Sequence, residues 1–162
     1  MRELVVYENG QGDQRAYNHR ITRLFAEHLA KNGLRLTSPR RLILEQFLRT
    51  DRHLSQEDIF HAVRPHGVGR ATVFRMLKML QECGLLSPIV GHGGATRFEI
   101  ELNRPHHDHL ICIECGRILE VRWPNLEKIQ DAACRKAGFR PKWHRHEVFG
   151  VCRSCSSKSA AL

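Results

Sequence analysis

The sequence predicts an α+β protein of two domains, in which helices and a hairpin precede a smaller unit of strands and one helix. Three observations support this prediction. Apolar residues recur at helical spacing through the first half, a Gly-rich turn separates two strand-like runs near residue 90, and a polar segment ending in proline follows. The expected divisions are an N-terminal extension at 1–16, a first domain at 17–100, a hinge at 101–105, a second domain at 106–156 and a tail at 157–162.

The first two helices are predicted from their apolar stripes and their end signals. The first helix begins near Asn18 and ends at Gly33. The second is expected to have Ser38 as its N-cap and Pro39 in its first helical position, because serine and proline are favoured there. This second helix should reach about Arg49.

The next two helices complete the helical part of the first domain. Ser55 and Asp58 form a capping-box pattern that opens the third helix, and the segment 65–69 breaks it. The fourth helix is expected from about Ala71 to Cys83. Its inward stripe consists of Val73, Met76, Leu77 and Leu80.

Two strands at 85–90 and 95–100 surround Gly91-His92-Gly93-Gly94 and predict a hairpin. Helices with one basic exposed face, followed by such a hairpin, are typical of a winged helix-turn-helix domain. The first domain is therefore expected to be a winged helix.

The second domain is expected to be small and to need external support. Its predicted elements are strands at 107–112 and 118–122, a helix at 124–137 and a strand at 142–151. A unit of about 55 residues has a marginal core and usually needs a metal ion or a partner subunit.

The charge distribution favours a polyanionic partner. The chain has a net charge of +9, and the segment 17–80 holds 12 Lys and Arg against 5 Asp and Glu, so +7 of the charge lies there. The sequence shows no apolar stretch long enough for a membrane span and no signal peptide, which predicts a cytosolic protein. In that compartment paired cysteines bind metal more often than they form disulfides.

The fourth helix offers the residues that read double-stranded DNA. Arg75 suits a phosphate or a guanine, and Phe74 suits a thymine methyl group. Arg35, in the turn before the second helix, suits a minor groove, and Arg70 and Thr72 complete the predicted DNA-binding set. The alternative is a solvated basic helix with Phe74 in the core.

The four paired cysteines predict a structural zinc site. Cys112 and Cys115 form one Cys-x-x-Cys pair, and Cys152 and Cys155 form the other. Two such pairs supply four thiolates in the tetrahedral arrangement that zinc prefers. The alternative is four unligated thiols.

The run His106-His107-Asp108-His109 predicts further metal sites. In an extended segment His107 and His109 share one face while His106 and Asp108 share the other, so one segment can supply two sites. Imidazoles and carboxylates suit iron(II), manganese or zinc, and the alternative is a solvated histidine cluster. The further ligands available in the sequence are His53, Glu99, Glu127, His144 and His146.

Together these motifs resemble the ferric uptake regulator family of bacterial metal-sensing repressors. The resemblance covers roughly residues 30–155. It rests on the segments Gly33–Thr37, Pro39-Arg40, His53–Ser55, Ala71–Arg75, Arg97–Glu99, His106–His109, Cys112-x-x-Cys115 and the final cysteine pair.

The resemblance implies a homodimer that represses metal-uptake genes at a palindromic, AT-rich operator. It implies a winged-helix DNA-binding domain, a C-terminal dimerisation domain and structural Zn²⁺ at the four cysteines. By position, the regulatory site at the hinge would use His53, Glu99, His107 and His109. An additional metal site would use His106, Asp108, Glu127 and His144.

The expected function is a metal-dependent transcriptional repressor with Fe²⁺ as the regulatory ion, and not an enzyme. The alternatives are a zinc- or manganese-sensing repressor of the same family, a metal store and a metalloenzyme. The chain departs from the family pattern at Phe74, where tyrosine is common, at Arg35, where lysine is common, and at His146, which has no clear counterpart. Glu99, in place of aspartate, is unlike the peroxide-sensing branch.

Overall fold

The structure is a computed structural model that describes residues 5–6, 14–50, 52–91, 96–100 and 106–159. The chain folds into two compact units, one mainly helical with a three-stranded sheet and one with a four-stranded sheet. The predicted hinge, most of the predicted wing turn and most of the predicted extension lie outside the described residues. Among the described residues, none of the helices has both the length and the apolar character needed to span a membrane.

The first unit contains four α-helices, as the sequence predicts. They are α1 (Gln14–Lys31), α2 (Ser38–Leu48), α3 (Gln56–Val63) and α4 (Arg70–Glu82), with a 3-10 turn at Arg64–His66. Helix α1 begins four residues earlier than predicted, and Gln14 there donates a side-chain hydrogen bond to Asn18 Oδ1. Gly33 follows α1 in the left-handed conformation, with φ +68°, which glycine adopts without a steric penalty.

The caps of α2 and α3 differ from each other. Thr37, not Ser38, is the N-cap of α2, because the Thr37 carbonyl already accepts the first helical hydrogen bond from the Arg41 N–H. The capping box of α3 is confirmed. The Ser55 hydroxyl accepts from the Asp58 N–H at 3.1 Å, and the Asp58 carboxylate accepts from the Ser55 N–H at 2.8 Å.

A three-stranded antiparallel sheet completes the first unit. Its strands are β2 (Leu54–Ser55), β3 (Leu86–Val90) and β4 (Thr96–Ile100), in the order β2-β4-β3. The sequence predicted β3 and β4 but not β2, because two residues are too few to show an alternating pattern. The inward stripe of α4 is buried as predicted, within a core shared by all four helices and the sheet.

The second unit is a four-stranded sheet with two helices. Its elements are β1 (Val5–Val6), β5 (Asp108–Cys112), β6 (Ile118–Arg122), α5 (Pro124–Lys136), β7 (Glu147–Gly150) and α6 (Arg153–Ser159). The strand order is β1-β6-β5-β7, and β5 and β7 run parallel. Strand β7 is shorter than predicted, and α6, which was not predicted, begins at the end of the predicted second domain and continues into the predicted tail.

Helix α6 begins in the turn formed by the last cysteine pair. The Cys152 carbonyl accepts hydrogen bonds from the N–H groups of Cys155 and Ser156, at 3.0 and 2.9 Å. This turn sets the first helical hydrogen bonds and so nucleates a helix whose serine-rich sequence has little intrinsic preference for one.

Candidate metal centres and nucleic-acid interface

The four cysteine sulfurs lie together in the second unit. All four are free thiols, and their sulfur atoms lie within 4.8 Å of one another. The Sγ atoms of Cys115 and Cys152 are 3.7 Å apart. Four sulfurs about 2.3 Å from a tetrahedral zinc ion are separated by about 3.8 Å, so the predicted cluster fits zinc in both donor type and spacing.

Backbone and side-chain donors point at these sulfurs. The Cys115 N–H lowers the pKa of the Cys112 thiol, and the Cys152 N–H donates to the same sulfur at 3.3 Å. The Ser154 hydroxyl lowers the pKa of Cys152 to about 6, with further help from the Cys155 N–H. Hydrogen bonds with the sulfurs of Cys152 and Cys115 raise the pKa of Cys155. Two of the four groups are therefore prepared to be thiolates, the form that binds metal.

Two turns bring the cysteine pairs together. Gly116, with φ +67°, donates its N–H to the Cys112 carbonyl and closes the first turn after strand β5. The second pair follows strand β7, and the parallel register places Cys112 opposite Gly150. The cysteine cluster consequently joins the ends of two neighbouring strands.

A second cluster in the same unit combines two imidazoles and two carboxylates. The Nε2 atom of His106 lies 3.1 Å from Asp108 Oδ1 and 3.2 Å from Glu127 Oε1. The Nε2 atom of His144 lies 3.0 Å from the same oxygen of Glu127. These four residues are the additional metal set implied by the resemblance, and the structure brings all of them together.

The donor separations in this second cluster fit one bound ion. Two donors about 2.1 Å from an ion and about 90–110° apart are separated by about 3.0–3.4 Å. Asp108 is buried, and its Oδ2 atom accepts no hydrogen bond from any residue that the structure describes. Because buried polar atoms are normally satisfied, this oxygen is suited to a cation.

The predicted hinge ligands form one pair in each unit. In the first unit, His53 Nε2 lies 3.5 Å from Glu99 Oε2. The pairing of β2 with β4 sets this distance, because Leu54 lies opposite Phe98 and so puts His53 next to Glu99. The Arg97 guanidinium donates to the His53 carbonyl at 3.0 Å and fixes the backbone there.

In the second unit, His107 and His109 form the other pair. Their ring centroids are 5.0 Å apart, as expected for two residues on one face of an extended segment. Glu120 of β6 lies directly opposite His109 of β5, and a carboxylate oxygen of Glu120 lies within 4.8 Å of a His107 ring nitrogen. Sequence reasoning missed Glu120, and only the register of β5 with β6 could have identified it.

The residues predicted to contact nucleic acid differ in their exposure. Phe74 is 57% exposed, which excludes the alternative that places it in the core. Arg75 is exposed, and no carboxylate in the described part of the chain pairs with it. Thr72 is half-buried, and Arg35 is exposed in the turn before α2.

Arg70 differs from the other predicted contacts because it is held within the protein. Its guanidinium forms a two-fold ion pair with Glu57 and stacks 4.0 Å from the centroid of the Phe60 ring. The Arg70 hydrogen bond lowers the pKa of Glu57, and the same bond raises the pKa of Arg70.

A groove in the first unit runs beside the exposed face of α4. Three cations border it, Arg40, Arg75 and Lys78, against the single carboxylate of Glu82. The remaining lining is mostly apolar and includes Pro39. A mainly cationic groove with apolar walls suits a phosphate backbone together with base edges.

The chain is similar to known metal regulators over most of its length. The family model described as ferric uptake regulator family matches residues 31–149. The ferric uptake regulation protein of Campylobacter jejuni is 31% identical, over 85% of this chain and 90% of the relative. The protein of the same name from Bordetella parapertussis is 38% identical, over 78% and 93%. The peroxide operon regulator of Bacillus subtilis is 32% identical, over 82% and 91%.

Solved structures show the same fold. The ferric uptake regulator of Helicobacter pylori, described as having three functional metal-binding sites, has a TM-score of 0.79 and 28% identity, over 86% of this chain and 93% of that one. The Francisella tularensis regulator solved with iron has a TM-score of 0.70 and 30% identity, over 76% of this chain and 96% of that one. The α+β fold with a winged helix and a second small domain is confirmed.

Proposed function

Because the chain belongs to the ferric uptake regulator family, we propose that it is a metal-dependent repressor whose regulatory ion is iron(II). Members of this family are DNA-binding, metal-responsive transcriptional regulators and not enzymes. The observation that carries the proposal is the presence of one donor pair in each unit, His53 with Glu99 and His107 with His109. A single ion bound by both pairs would join the two units.

We assign the regulatory site to these two pairs together with Glu120. Three imidazoles and two carboxylates make a donor set that suits iron(II) or manganese better than a four-thiolate site would. When bound, the ion supplies a link across residues 101–105, and its binding free energy offsets the entropy lost when the hinge is fixed. Residues 17–100 would then bind DNA, and residues 106–156 would hold the dimer together.

The metals bound to similar proteins support iron(II) as the regulatory ion and leave zinc and manganese as alternatives. The Francisella tularensis regulator was solved with iron, and another similar structure is a zinc-bound manganese uptake regulator with a TM-score of 0.62 and 30% identity. The four cysteines would hold structural zinc, since thiolates select zinc over iron(II) in a closed tetrahedral site. The histidine and carboxylate sites are left for the exchangeable ion.

We propose that helix α4 reads an AT-rich palindromic operator. Arg75 is exposed and unpaired within the described residues, so it can contact a phosphate or a guanine without breaking an ion pair. Phe74 can contact a thymine methyl group, Thr72 lines the same groove as Arg75, and the exposed Arg35 can contact a minor groove. Arg70 must first leave Glu57 before it can bind DNA.

An uncovered apolar surface supports a homodimer through the second unit. Leu110 of β5 lies opposite Leu119 of β6 and Val148 of β7, which puts an apolar row across one face of the sheet. Val148 is 48% exposed. Helix α5 contains no buried residue, and Ile129 on it is also exposed. A second copy of the chain would cover these surfaces.

Fluorescence anisotropy of a labelled AT-rich palindromic duplex tests the proposed function. The protein keeps zinc at its cysteines and loses exchangeable metal, and iron(II), manganese(II) and zinc(II) are titrated separately without oxygen. Salt is held fixed because phosphate contacts make affinity salt-dependent. We expect binding only after metal is added, with the midpoints ranking the metals. Equal binding with and without metal would contradict the proposal.

The Arg75→Ala variant tests the DNA interface separately. We expect a loss of about 1–3 kcal/mol in operator binding with unchanged zinc content and unchanged dimerisation. Arg23→Ala is the matched control, because Arg23 is an exposed cation of α1 in the same unit. A loss of the same size in both variants would show that Arg75 of α4 makes no specific contact with the operator.

A further inference from the structure

The site of His106, Asp108, Glu127 and His144 has a fifth donor that none of the sequence motifs assigns. His146 lies two residues after His144, and their ring centroids are 5.0 Å apart. The Nδ1 atom of His146 lies 3.5 Å from Asp108 Oδ1, the oxygen that also faces His106 Nε2 at 3.1 Å. A third imidazole, that of His146, therefore faces the Asp108 carboxylate beside His106.

The backbone holds His146 in this position. The His146 carbonyl accepts a hydrogen bond of 3.1 Å from the N–H of His109, and this bond belongs to the parallel pairing of His109 with Glu147. Because Asp108 is the residue before His109, this bond keeps His146 beside the Asp108 side chain. The His146 ring is placed by the sheet and not by a free loop.

Two buried polar atoms near His146 lack hydrogen-bond partners among the described residues. The Nδ1 atom of His146 and the Oδ2 atom of Asp108 are both inaccessible, and neither forms a hydrogen bond with any residue that the structure describes. The distance of 3.5 Å between His146 and Asp108 is long for a hydrogen bond. It matches the separation of about 3.4 Å for two donors on one ion at about 110°.

We propose that His146 is a fifth protein ligand of this second site and gives it a preference for manganese(II) or iron(II) over zinc(II). The inference rests on the proposed function, in which the other four residues bind an ion. Three imidazoles and two carboxylates supply more donors than a tetrahedral zinc site takes, whereas manganese(II) and iron(II) accept higher coordination numbers with oxygen and nitrogen ligands.

The test uses the full-length chain with zinc at its cysteines and with His53→Ala to weaken the proposed hinge site. Manganese(II) is titrated while the electron paramagnetic resonance signal of the free ion is recorded, and zinc(II) affinity is measured by competition with an indicator. The parent is compared with His146→Leu, which removes the donor, and with His146→Gln, which keeps a hydrogen-bond donor for Asp108. His66→Leu, at an exposed histidine of the first unit, is the matched control.

We expect His146→Leu to raise the manganese dissociation constant by about 10- to 100-fold, with a several-fold smaller effect on zinc. We expect His146→Gln to recover little of the loss and His66→Leu to match the parent. Unchanged manganese affinity in His146→Leu, or an equal loss for both metals, would overturn the inference. Full recovery in His146→Gln would also overturn it, because His146 would then only orient Asp108.

A parent that binds no manganese outside the hinge site would overturn the inference together with the second-site assignment. That result would leave the hinge site and the DNA interface intact, since these depend on His53 and Arg75 and are tested by operator binding. Zinc content and circular dichroism of each variant show that the second unit is still folded.

Discussion

The sulfur atoms of Cys115 and Cys152 are in contact, at 3.7 Å, but are much farther apart than the two sulfurs of a disulfide, which are about 2.05 Å apart. Their separation of 3.7 Å and the N–H groups directed at Cys112 are what a zinc site requires. At the scale of residues the structure adds little to the sequence, because the spacing of two Cys-x-x-Cys pairs already predicts that the four sulfurs cluster.

Removing one of these sulfurs tests the structural zinc. We expect Cys112→Ser to lose zinc and to lower the melting temperature of the second unit, because metal binding and folding are coupled in small metal-stabilised domains. Metal analysis and thermal unfolding measure the two effects. Cys134→Ser is the matched control, since Cys134 is half-buried and lies outside the cluster. A zinc-free protein of unchanged stability would rule out a structural role.

Asp58 links the cap of α3 to the neighbourhood of His53. Burial acts to raise the pKa of Asp58, but hydrogen bonds from the Ser55 hydroxyl and N–H, together with the charge of Arg97, hold this pKa below its usual value. Arg97 contacts both the Asp58 carboxylate, at 3.3 Å, and the His53 carbonyl. The same carboxylate thus caps a helix and orients the residue that fixes a predicted ligand.

Because the folded-state pKa of Asp58 is lowered, its contribution to stability is present above pH about 4 and is lost as the pH falls through the folded value. We expect Asp58→Asn to lower the free energy of unfolding by about 1 kcal/mol at pH 7. The difference in this free energy between the parent protein and the variant should become smaller toward pH 2. Urea unfolding across this pH range measures both. A difference that stays constant from pH 7 to pH 2 would contradict the assignment.

At the scale of elements, the two arginines of helix α4 differ: Arg75 pairs with no carboxylate of the described residues, whereas Arg70 is restrained. Arg75 is exposed, whereas Arg70 is held by Glu57 and by the Phe60 ring. The sequence placed both on the same helix but could not reveal the restraint, because Glu57 is 13 residues from Arg70 and belongs to α3.

Releasing Arg70 should therefore strengthen DNA binding. We expect Glu57→Gln to raise operator affinity several-fold and to steepen the plot of log affinity against log salt by about 1, as one added phosphate contact would. Anisotropy at four or five salt concentrations measures the slope. Glu45→Gln is the control, because Glu45 pairs with Arg49 at the end of α2. An unchanged slope in Glu57→Gln would show that Arg70 does not contact phosphate.

The pairing of strands explains which parts of the sites could not be predicted from the sequence. Helices α1 to α5, strands β3 and β4, strands β5 to β7 and the cysteine cluster follow from local patterns. The position of Glu120 depends on the register of β5 with β6, and strand β2 depends on pairing with β4, which is distant in the chain; no local pattern encodes either. His146 departs from the family pattern in the sequence, but only its contact with Asp108 in the structure indicates a role as a metal ligand.

At the scale of the whole molecule, the second unit has an apolar surface that needs a partner. We expect Val148→Asp to shift the protein from dimer to monomer in sedimentation velocity, because it places a charge in the exposed row of the sheet. Val90→Asp is the matched control, since Val90 is similarly exposed in the first unit. A dimer that survives Val148→Asp unchanged would move the proposed interface elsewhere.

Under the proposed function, an ion at the hinge would couple dimerisation, metal binding and DNA binding. If metal tightens operator binding by a given factor, operator DNA must tighten metal binding by the same factor, because the two paths between the free and fully bound states have equal free energy. This reciprocity does not depend on which metal is physiological.

The most direct test is the metal affinity of the zinc-loaded dimer, measured by indicator competition with and without saturating operator duplex. We expect operator DNA to lower the dissociation constant of the proposed hinge ion by the factor found in anisotropy, and His53→Ala to abolish this change. A scrambled duplex of equal length controls for non-specific binding. The same metal affinity with and without operator would contradict the coupling of metal to DNA binding.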